Sequence, residues 1–354
     1  MSAFKTGNPE FDVLKLLGRH WQANAESVRE QLLDDCFAYW RSRGFPYDFL
    51  GDAEMRKELV GVIRTDARAG WEGMTVQGST AGLRLANFFH PVMWAVRCRD
   101  AYAPTQRFEC DRSLRRVLHH ALTIWPDRFS VNATNLRSML RTFSKTTRVS
   151  NFRPTLAKAI IERFSRPGQR VLDFSSGYGG RLLGCIAAGR RYFGIDPSFD
   201  QIQGGIALVN ALRRLGFPVP EVDLCQGPAE DVLPGLASAS VGLVFSSPPY
   251  FDRERYSHEP SQSYVRFPTY SQWRERFLTA VLAESARVLK LGGRLVLNVS
   301  NVNGYPIADD ALSIASGFLS HEATLRLCLA RKPYLQTTAG EHFKHEPLFV
   351  FRKI

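Results

Sequence analysis

The stretch Val241-Gly-Leu-Val-Phe-Ser-Ser-Pro-Pro-Tyr250 decides the expected fold of this chain. Residues 241–245 form a continuous apolar run, which is typical of a strand buried on both faces of a parallel sheet. Pro248 and Pro249 have no N–H group for a β-ladder, so the strand must end before them. The sequence therefore predicts a buried parallel strand that ends in a stiff corner.

The corner predicts a binding surface for a flat amine. The hydroxyl of Ser247 and the carbonyls of Ser247 and Pro248 are acceptors, and the ring of Tyr250 follows directly. Acceptors held by two prolines can bind the hydrogens of an –NH2 group while the ring stacks on the plane of the molecule. A proline turn that simply closes a strand is the alternative interpretation.

The composition limits the classes to which this protein can belong. The chain has 354 residues, 44% of them hydrophobic, which suffices for one large domain or two. It has no apolar run of about 18 residues for a membrane span, and its first residues lack the apolar core of a signal peptide. The six scattered cysteines form no Cys-x-x-Cys pair, which indicates reduced thiols in a cytoplasmic protein. His119-His120 and His342-x-x-His345 lack partners at metal-ligand spacing, so we expect no metal site.

The net charge of +12 favours a polyanionic partner. Between Arg107 and Arg153 there are ten Lys/Arg against three Asp/Glu, a net of +7 in 47 residues. Two predicted amphipathic helices in this region, residues 111–125 and 135–145, each carry a basic face, and Arg137 and Arg141 lie on the second. We expect these residues to face nucleic-acid phosphates. An ordinary solvated helix surface is the alternative.

The chain is expected to contain two domains. Residues 1–148 have mainly helical patterns and form a basic region for recognition of the substrate or target. Residues 71–80 are predicted to be a loop. From residue 149 to 354, predicted strands and helices alternate, which indicates an α/β fold with a doubly wound sheet. One of these helices, residues 271–290, is predicted to begin with Ser271 as its N-cap.

A glycine loop, Asp173-Phe-Ser-Ser-Gly-Tyr-Gly-Gly180, lies between a predicted strand and a predicted helix. Gly177 and Gly179 can adopt positive φ and let a ligand approach the backbone. A dinucleotide fingerprint would need glycine where Leu182 stands, and no Gly-Lys-Ser/Thr follows for a P-loop. The next predicted strand ends at Asp196, about 20 residues after the glycines, where a carboxylate can accept both ribose hydroxyls of an adenosine.

Together, the two motifs resemble those of amino-methyltransferases that use S-adenosylmethionine (SAM). Ser-Pro-Pro-Tyr250 is similar to the catalytic motif of enzymes that include DNA N4-cytosine and N6-adenine methyltransferases. The glycine loop is similar to the class I SAM loop Asp-Pro-Phe-x-Gly-x-Gly, except that no proline separates Asp173 from Phe174. The resemblance covers residues 149–354. It implies the class I SAM-methyltransferase fold with a seven-stranded, doubly wound sheet, SAM as cofactor, and DNA or another nucleic acid as partner.

The resemblance also implies the residues of a cofactor site. Carried over by position, the residues that would line the methionine half of SAM are Asp173, Ser175, Gly177 and Gly179. Asp196 would hold the ribose, Ser247 would approach the methyl donor, and Asp231, in preference to Glu230, would approach the adenine amine. Phe152 stands where amino-methyltransferases place an aromatic residue against the cofactor. Packing of the following helix onto the sheet is the alternative for Phe152.

The implied catalytic residues are Ser247, Pro248, Pro249 and Tyr250. An exocyclic amine is a poor nucleophile, and hydrogen bonds to Ser247 and the Pro248 carbonyl would direct its lone pair towards the methyl group. A base in duplex DNA must first leave the helix. Candidates for binding that base or its phosphates follow the corner: Phe251, Arg253, Arg255 and Tyr256. The alternative for the two arginines is an exposed loop paired with Asp252 and Glu254.

The resemblance leaves the substrate open. Serine at the first motif position favours cytosine N4 over adenine N6. Residues 251–354 leave little room for a separate recognition domain, which puts sequence-specific recognition in doubt. The alternatives are an amine on RNA, a protein glutamine or a small molecule, and a non-catalytic nucleic-acid-binding protein with the same fold.

Overall fold

The computed structural model describes residues 26–98, 101–124, 132–143, 149–302, 304–331 and 343–354. Residues 1–25, where the predicted recognition region begins, lie outside them. The chain divides into two compact units. The first contains the described residues within 1–50, 91–150 and 254–256, and the second contains those within 51–90, 151–253 and 257–354.

The described residues form short and medium helices and eleven strands. The helices are α1 (Glu26–Arg43), α2 (Asp52–Arg64), α3 (Leu83–Phe89), α4 (Pro104–Glu109), α5 (Asp111–Ile124), α6 (Ala133–Phe143), α7 (Pro154–Phe164), α8 (Gly180–Ala187), α9 (Phe199–Arg214), α10 (Ala229–Val232), α11 (Ser263–Arg266), α12 (Tyr270–Trp273), α13 (Ala280–Val288) and α14 (Ile307–Ser316). The strands are β1 (Trp71–Glu72), β2 (Thr75–Val76), β3 (Arg97–Cys98), β4 (Arg170–Asp173), β5 (Arg191–Asp196), β6 (Val222–Gln226), β7 (Val241–Ser246), β8 (Glu254–Arg255), β9 (Leu289–Asn298), β10 (Ser320–Arg331) and β11 (Phe343–Arg352). Among the described helices, none is both long enough and apolar enough to cross a membrane.

The first unit is mainly helical, as its sequence pattern predicts. Helices α1, α5 and α6 pack their apolar stripes together around buried Trp40, Leu118 and Leu136. This packing is expected because apolar residues at helical spacing give each helix one face that is stable only when covered. The unit also contains a two-stranded antiparallel ladder of β3 and β8.

The second unit is built on one sheet with the strand order β1-β2-β10-β11-β9-β7-β4-β5-β6. Strands β9, β7, β4, β5 and β6 are parallel, and β11 runs antiparallel to both β9 and β10. The seven strands from β10 to β6 confirm the predicted doubly wound α/β sheet. Because β4 pairs with β5 on one side and β7 on the other, the strand order reverses beside β4, where open α/β sheets bind ligands.

The sheet is larger than expected at one edge. The residues predicted to be a loop form the short hairpin β1–β2, and β2 pairs in parallel with β10, with Thr75 opposite Arg326. The seven-stranded sheet is therefore extended to nine strands within the described residues. Two-residue strands carry too little apolar periodicity to be recognised from sequence.

The predicted domain boundary at residue 148 needs a correction, because residues 51–90 belong to the second unit. The ammonium group of Lys158 on α7 donates hydrogen bonds to the carbonyls of Ile63 (2.6 Å) and Thr65 (2.7 Å). The hydroxyl of Thr155 donates to the carbonyl of Ser79 at 2.8 Å. These bonds fix the segment to the sheet domain, although the chain leaves and re-enters that domain between residues 90 and 151.

The helical run predicted at residues 271–290 also differs in detail. Thr269, not Ser271, caps the first turn, because its hydroxyl accepts a hydrogen bond from the Gln272 N–H at 3.3 Å. Helix α12 continues through a π-helical turn into α13, and β9 begins directly afterwards at Leu289. A single amphipathic pattern cannot reveal a π turn, since the pattern changes little over one turn.

Replacement of Lys158 by alanine tests the docking of residues 51–90. Loss of the ammonium group leaves the Ile63 and Thr65 carbonyls without a donor, so the free energy of unfolding should fall by about 3 kcal/mol. Urea denaturation followed by circular dichroism measures the change. Lys57→Ala on the exposed face of α2 is the control, with an expected change below about 0.5 kcal/mol. Equal effects of the two substitutions would contradict the assignment of residues 51–90 to this unit.

Candidate active site

The predicted functional residues of the second unit meet at one edge of its sheet. Asp173 ends β4, Asp196 ends β5, and Ser246 ends β7. Neighbouring parallel strands place their carboxyl ends at the same edge, so the glycine loop, the expected ribose carboxylate and the proline corner lie beside one another. The reversal of strand order at β4 makes this edge the expected ligand-binding crevice.

The carboxylate of Asp173 is a buried hub and not an open ligand-binding group. It is 0% exposed and accepts hydrogen bonds from Arg181 Nε (2.7 Å), the Tyr192 hydroxyl (2.8 Å) and the Ser246 hydroxyl (2.8 Å). The N–H of Ser175 donates to the same carboxylate at 3.3 Å. The predicted contact between Asp173 and SAM is therefore corrected. Asp173 holds the loop and the strand end, and leaves no surface for a cofactor.

The glycines of the loop serve different purposes. Gly177 and Gly179 both adopt positive φ, 58° and 75°. A Cβ atom on Gly179 would lie 2.6 Å from the ring of His90, and one on Gly180 would lie 1.9 Å from the carbonyl oxygen of Phe152. A Cβ atom on Gly177 would meet nothing closer than 3.6 Å. Gly177, with half-buried Ser175, thus forms the accessible part of the loop, whereas Gly179 is required for packing.

Asp196 closes the glycine loop from the next strand. One carboxylate oxygen accepts the N–H of Gly177 at 2.9 Å, and the other accepts the N–H of Ser198 at 3.0 Å. Burial raises the pKa of Asp196 to about 6, although these two backbone donors oppose the rise. Each oxygen keeps a second lone pair, so the carboxylate can accept both hydroxyls of a ribose.

The adenine end of the expected cofactor site differs from the prediction. Asp231 is exposed and forms an ion pair with Arg266 at 2.9 Å, while the side chain of Glu230, also bound to Arg266, is only 6% exposed. Oε2 of Glu230 is buried without a hydrogen-bond partner within the described residues. A buried acceptor of this kind requires a donor. Glu230 is therefore better placed than Asp231 to meet an amine.

One aromatic residue at this end is not among the residues predicted from the sequence. Phe199 begins α9 three residues after Asp196 and is 53% exposed. An exposed phenylalanine beside the expected ribose carboxylate could cover one face of an adenine ring. The sequence signal from which it could have been predicted is an aromatic residue three positions after the carboxylate that ends β5.

The proline corner keeps its acceptors open. Ser247 is half-buried, and neither its hydroxyl nor the carbonyls of Ser247 and Pro248 form hydrogen bonds within the described residues. Pro248 is buried and Pro249 half-buried, which anchors the turn. Tyr250 is half-buried and packs against the apolar cluster on one side of the sheet. These free acceptors are the feature that the chemistry of an amine requires.

Phe251 is a structural anchor and not a base-binding residue, which corrects the prediction. It is 3% exposed, and its ring lies 5.7 Å from Tyr270, 5.9 Å from Trp273 and 5.1 Å from Tyr305, between ring centroids. Its backbone has φ of 53°, an uncommon conformation for a bulky residue. The aromatic packing holds the chain in this conformation directly after the corner.

Phe152 packs at the same edge. Its ring makes an edge-to-face contact with Phe245 at 5.5 Å, and the guanidinium group of Arg181 lies 5.7 Å from its centre. Phe245 belongs to β7 and Arg181 to the network around Asp173, so Phe152 contacts both parts of the candidate site. The packing role is observed. The contact with a cofactor stays a prediction.

Arg137 and Arg141 do not form the expected phosphate-facing surface. Arg137 is 5% exposed and forms an ion pair with Asp48 at 2.6 Å. Arg141 is half-buried, donates to the Val149 carbonyl at 3.1 Å and lies 4.1 Å from the ring centre of Trp94. Burial, followed by the neighbouring Arg137, lowers the pKa of Arg141 to about 10. Both side chains are therefore used inside the first unit. The sequence could not predict this, because helical periodicity does not show which distant segments cover the polar face of a helix.

The remaining candidates fall in different units. Arg253 is exposed in the second unit. Arg255, exposed on β8, and Tyr256, whose hydroxyl donates to Glu254, belong to the first unit. Their roles at a substrate stay predictions.

Known proteins resemble this chain in structure alone. No protein-family model and no curated protein matches it. TrmN from Thermus thermophilus has a TM-score of 0.40 and 14% identity over 57% of this chain and 49% of its own, less than two thirds of TrmN. A SAM-dependent methyltransferase from Methanosarcina mazei has a TM-score of 0.38 and 12% identity, with 55% of this chain and 97% of its own covered. The tRNA (m1A58) methyltransferase TrmI from Aquifex aeolicus has a TM-score of 0.38 and 13% identity, with 58% and 71% covered. At these scores the fold assignment rests on the strand order of this chain, and the activities of these proteins are not assigned to it.

Replacement of Asp173 by asparagine should be strongly destabilising. The substitution leaves the guanidinium group of Arg181 buried without a counter-charge, which costs about 3–5 kcal/mol of unfolding free energy. Urea denaturation measures the loss. Asp223→Asn on the exposed edge strand β6 is the matched control and should change stability by at most about 1 kcal/mol. A loss no larger than that of the control would show that Asp173 is not a structural hub.

Binding of SAM should weaken as the pH falls through about 6, the pKa of Asp196. The ionised carboxylate accepts ribose hydroxyls, and at pH 5 about a tenth of the protein retains it, so the dissociation constant should be about tenfold higher than at pH 8. Isothermal titration calorimetry between pH 5 and 8 measures it. Burial lowers the pKa of His90, the buried imidazole beside the loop, to about 4, which is below this range. Asp196→Asn should bind weakly and without this pH dependence, and a flat profile in the unsubstituted protein would exclude the role.

Proposed function

We propose that this protein is a SAM-dependent methyltransferase that modifies the exocyclic amine of a nucleobase, with DNA as the first candidate substrate. One observation carries the proposal. The unpaired acceptors of Ser247 and Pro248 lie at the carboxyl end of β7, beside an accessible glycine loop at the end of β4, and the two are joined through Asp173. A donor site and an acceptor site on adjacent strands are what a group transfer requires.

The residues around the loop fit SAM. Gly177 leaves the backbone open for the methionine part, and Asp196 can accept the ribose hydroxyls. Phe199 and Glu230 offer an aromatic face and an acceptor for the adenine. SAM, when bound, supplies a methyl group on a positively charged sulfur.

The corner would prepare the amine for the transfer. The Ser247 hydroxyl and the Pro248 carbonyl accept the two amine hydrogens, which draws the nitrogen from planar towards tetrahedral geometry and directs its lone pair outwards. These hydrogen bonds strengthen as positive charge develops on nitrogen, so they bind the transition state more tightly than the ground state. Tyr250 stacks on the base, and the prolines keep the acceptors fixed.

The preferred base and polymer follow from weaker features. Serine at position 247 favours cytosine N4 over adenine N6, on the resemblance to DNA enzymes. The net charge of +12 favours nucleic acid, and exposed Arg253 directly after the corner is a candidate for a flanking phosphate. Moving a base out of the duplex costs a few kcal/mol of stacking and pairing free energy, so single-stranded DNA should be the better substrate.

A second candidate is an amine on RNA, on a protein glutamine or on a small molecule. One observation favours a protein or small-molecule amine over a polynucleotide. The internal ion pair of Arg137 and the packing of Arg141 withdraw these two side chains from the basic face expected on α6, although Arg112 and Arg116 on α5 are exposed. A non-catalytic binding protein is the least favoured, because such a protein has no need of free acceptors on a fixed corner.

Incubation with methyl-labelled SAM distinguishes these functions. The panel contains single- and double-stranded DNA, RNA, protein and small amines, and the methylated product is identified by mass spectrometry. Label on an exocyclic amine of cytosine or adenine in DNA is the expected result. Label on RNA, glutamine or a small amine supports the second candidate. SAM binding without transfer to any of them would contradict methyltransferase activity.

Substitutions in the corner separate catalysis from cofactor binding. Ser247→Ala removes one acceptor for the amine, and Tyr250→Ala removes the stacking ring, so each should lower methyl transfer about 100-fold or more. The dissociation constant of SAM should change by less than about threefold, a shift under 1 kcal/mol. Tyr250→Phe, and Ser271→Ala at an exposed position of α12, are matched controls that should keep activity. Loss of SAM binding in a folded Ser247→Ala protein would contradict the assigned role.

A further inference from the structure

The two-stranded ladder of the first unit carries two arginines that face each other. Strand β3 pairs with β8 so that Arg97 stands directly opposite Arg255, and both residues are exposed. Directly opposite residues of an antiparallel pair lie on the same face, with their Cβ atoms about 5 Å apart, and like charges in this arrangement are destabilising. The ladder therefore holds two positive charges together on one small face.

No carboxylate balances this face within the part of the chain that the structure describes. Neither Arg97 nor Arg255 forms an ion pair there. Glu254, the acidic residue of β8, lies on the opposite face, because side chains alternate along a strand. Arg41, elsewhere in the same unit, does have a partner and pairs with Asp111 at 2.7 Å. Two opposed arginines without a counter-charge are suited to bind an anionic ligand.

An exposed aromatic ring lies beside Arg97. Tyr102 is 48% exposed, and the guanidinium carbon of Arg97 lies 6.0 Å from its ring centre. The guanidinium carbon of Arg107, on α4, lies 3.8 Å from the same ring centre, and Nη1 of Arg107 donates to the Ser113 hydroxyl at 3.4 Å. The ring thus holds a third positive charge next to the first two, while about half of the residue remains open to solvent.

Clustered arginines beside an open aromatic ring are the features that bind single-stranded nucleic acids. Guanidinium groups donate paired hydrogen bonds to phosphate oxygens, and a base of any kind can stack on an aromatic ring. A duplex offers the same phosphates but keeps its bases stacked inside. An acidic protein segment would use the charges and leave the ring without a base. A single strand is therefore the partner that uses both features.

We propose that the face formed by Arg97, Tyr102, Arg107 and Arg255, here called the ladder face, binds the phosphates and one base of a single-stranded nucleic acid. The proposal rests on the proposed function, which makes this strand the substrate, and deepens it by assigning contacts outside the reacting base. The arginines bind phosphates, and Tyr102 stacks on a base. Arg255 stands five positions after Tyr250, so one short stretch of chain carries residues for both the target base and the backbone.

Arg97→Glu separates ligand binding from stability. The substitution replaces two like charges by an ion pair with Arg255, so the melting temperature should stay the same or rise. It also withdraws two positive charges from a ligand. The dissociation constant for a labelled single strand of about 12 nucleotides should therefore rise about tenfold, and the slope of log K against log salt should fall in magnitude by about 1.4. Fluorescence anisotropy measures both. Arg213→Glu, at an exposed position in the last turn of α9, is the matched control and should change the dissociation constant less than about twofold.

Two substitutions of Tyr102 test the stacking of a base. Tyr102→Ala should weaken binding of the same oligonucleotide about tenfold, whereas Tyr102→Phe keeps the ring and should bind within about twofold of the unsubstituted protein. Poly-glutamate of equal charge offers negative groups without bases. It should compete poorly with the oligonucleotide, and Tyr102→Ala should leave its binding unchanged.

A substrate without phosphates distinguishes this inference from the proposed function. The ratio of kcat/KM for the oligonucleotide to kcat/KM for free deoxycytidine or deoxyadenosine should fall about tenfold in Arg97→Glu, because the nucleoside has no phosphate to lose. The inference is overturned if Arg97→Glu binds the oligonucleotide as the unsubstituted protein does, or if Arg213→Glu weakens binding equally. It is also overturned if poly-glutamate binds as tightly, which indicates an acidic protein partner.

In each of these three cases methyl transfer to a nucleobase persists, and the proposed function stands. If SAM binds but no nucleobase accepts a methyl group, the proposed function fails. The oligonucleotide affinities of Arg97→Glu and Tyr102→Ala then decide separately whether the ladder face binds nucleic acid.

Discussion

The buried ion pair between Asp173 and Arg181 is the interaction on which the candidate site depends. Its 2.7 Å contact is completed by hydroxyl donors from Tyr192 on β5 and Ser246 on β7. Three adjacent strands and α8 thus converge on one carboxylate. A buried ion pair of this kind adds little net stability over apolar packing. Removal of either residue still lowers the free energy of unfolding strongly, because the remaining residue becomes a buried charge without a partner. It fixes how the strand ends and the glycine loop lie with respect to one another.

This constraint explains why adjacent residues of the same type have different roles. Ser246 uses its hydroxyl on Asp173, whereas Ser247 turns past the strand end and leaves its hydroxyl without a partner within the described residues. Gly179 is closed by the His90 ring, whereas Gly177 stays accessible. In each pair, one residue is required for packing or hydrogen bonding inside the fold, and the other remains accessible to a ligand. The buried aromatic packing of Phe251 holds the far end of the corner in the same way.

Some arginines of this basic chain are used inside the structure and others stay exposed, such as Arg112 and Arg253. Arginines that seemed free in the sequence are committed to partners: Arg137 to Asp48 and Arg266 to Glu230 and Asp231. The carboxyl groups of Asp196 and Glu346 remain at the carboxyl edge of the sheet, and burial raises the pKa of both. For the proposed substrate, a few polar atoms at this edge would hold one ring and one amine.

The sequence by itself determined the features that local chemistry dictates. An unbroken apolar run must be a buried strand, two prolines must end it, and alternating strands and helices must form a doubly wound sheet, so β4, β5, β7 and the motifs at their ends were predictable. Only the tertiary structure decided which polar groups remain open, because burial and hydrogen bonding depend on residues far away in the chain. In the folded structure, Tyr192 and Ser246 donate hydrogen bonds to Asp173, and Asp48 forms an ion pair with Arg137. Lys158 attaches residues 51–90 to the sheet domain. It also placed Glu346 beside Asn298, at the edge of the sheet that holds Ser247. The sequence could not show this, because a strand pairing between residues 50 positions apart leaves no trace in either local pattern.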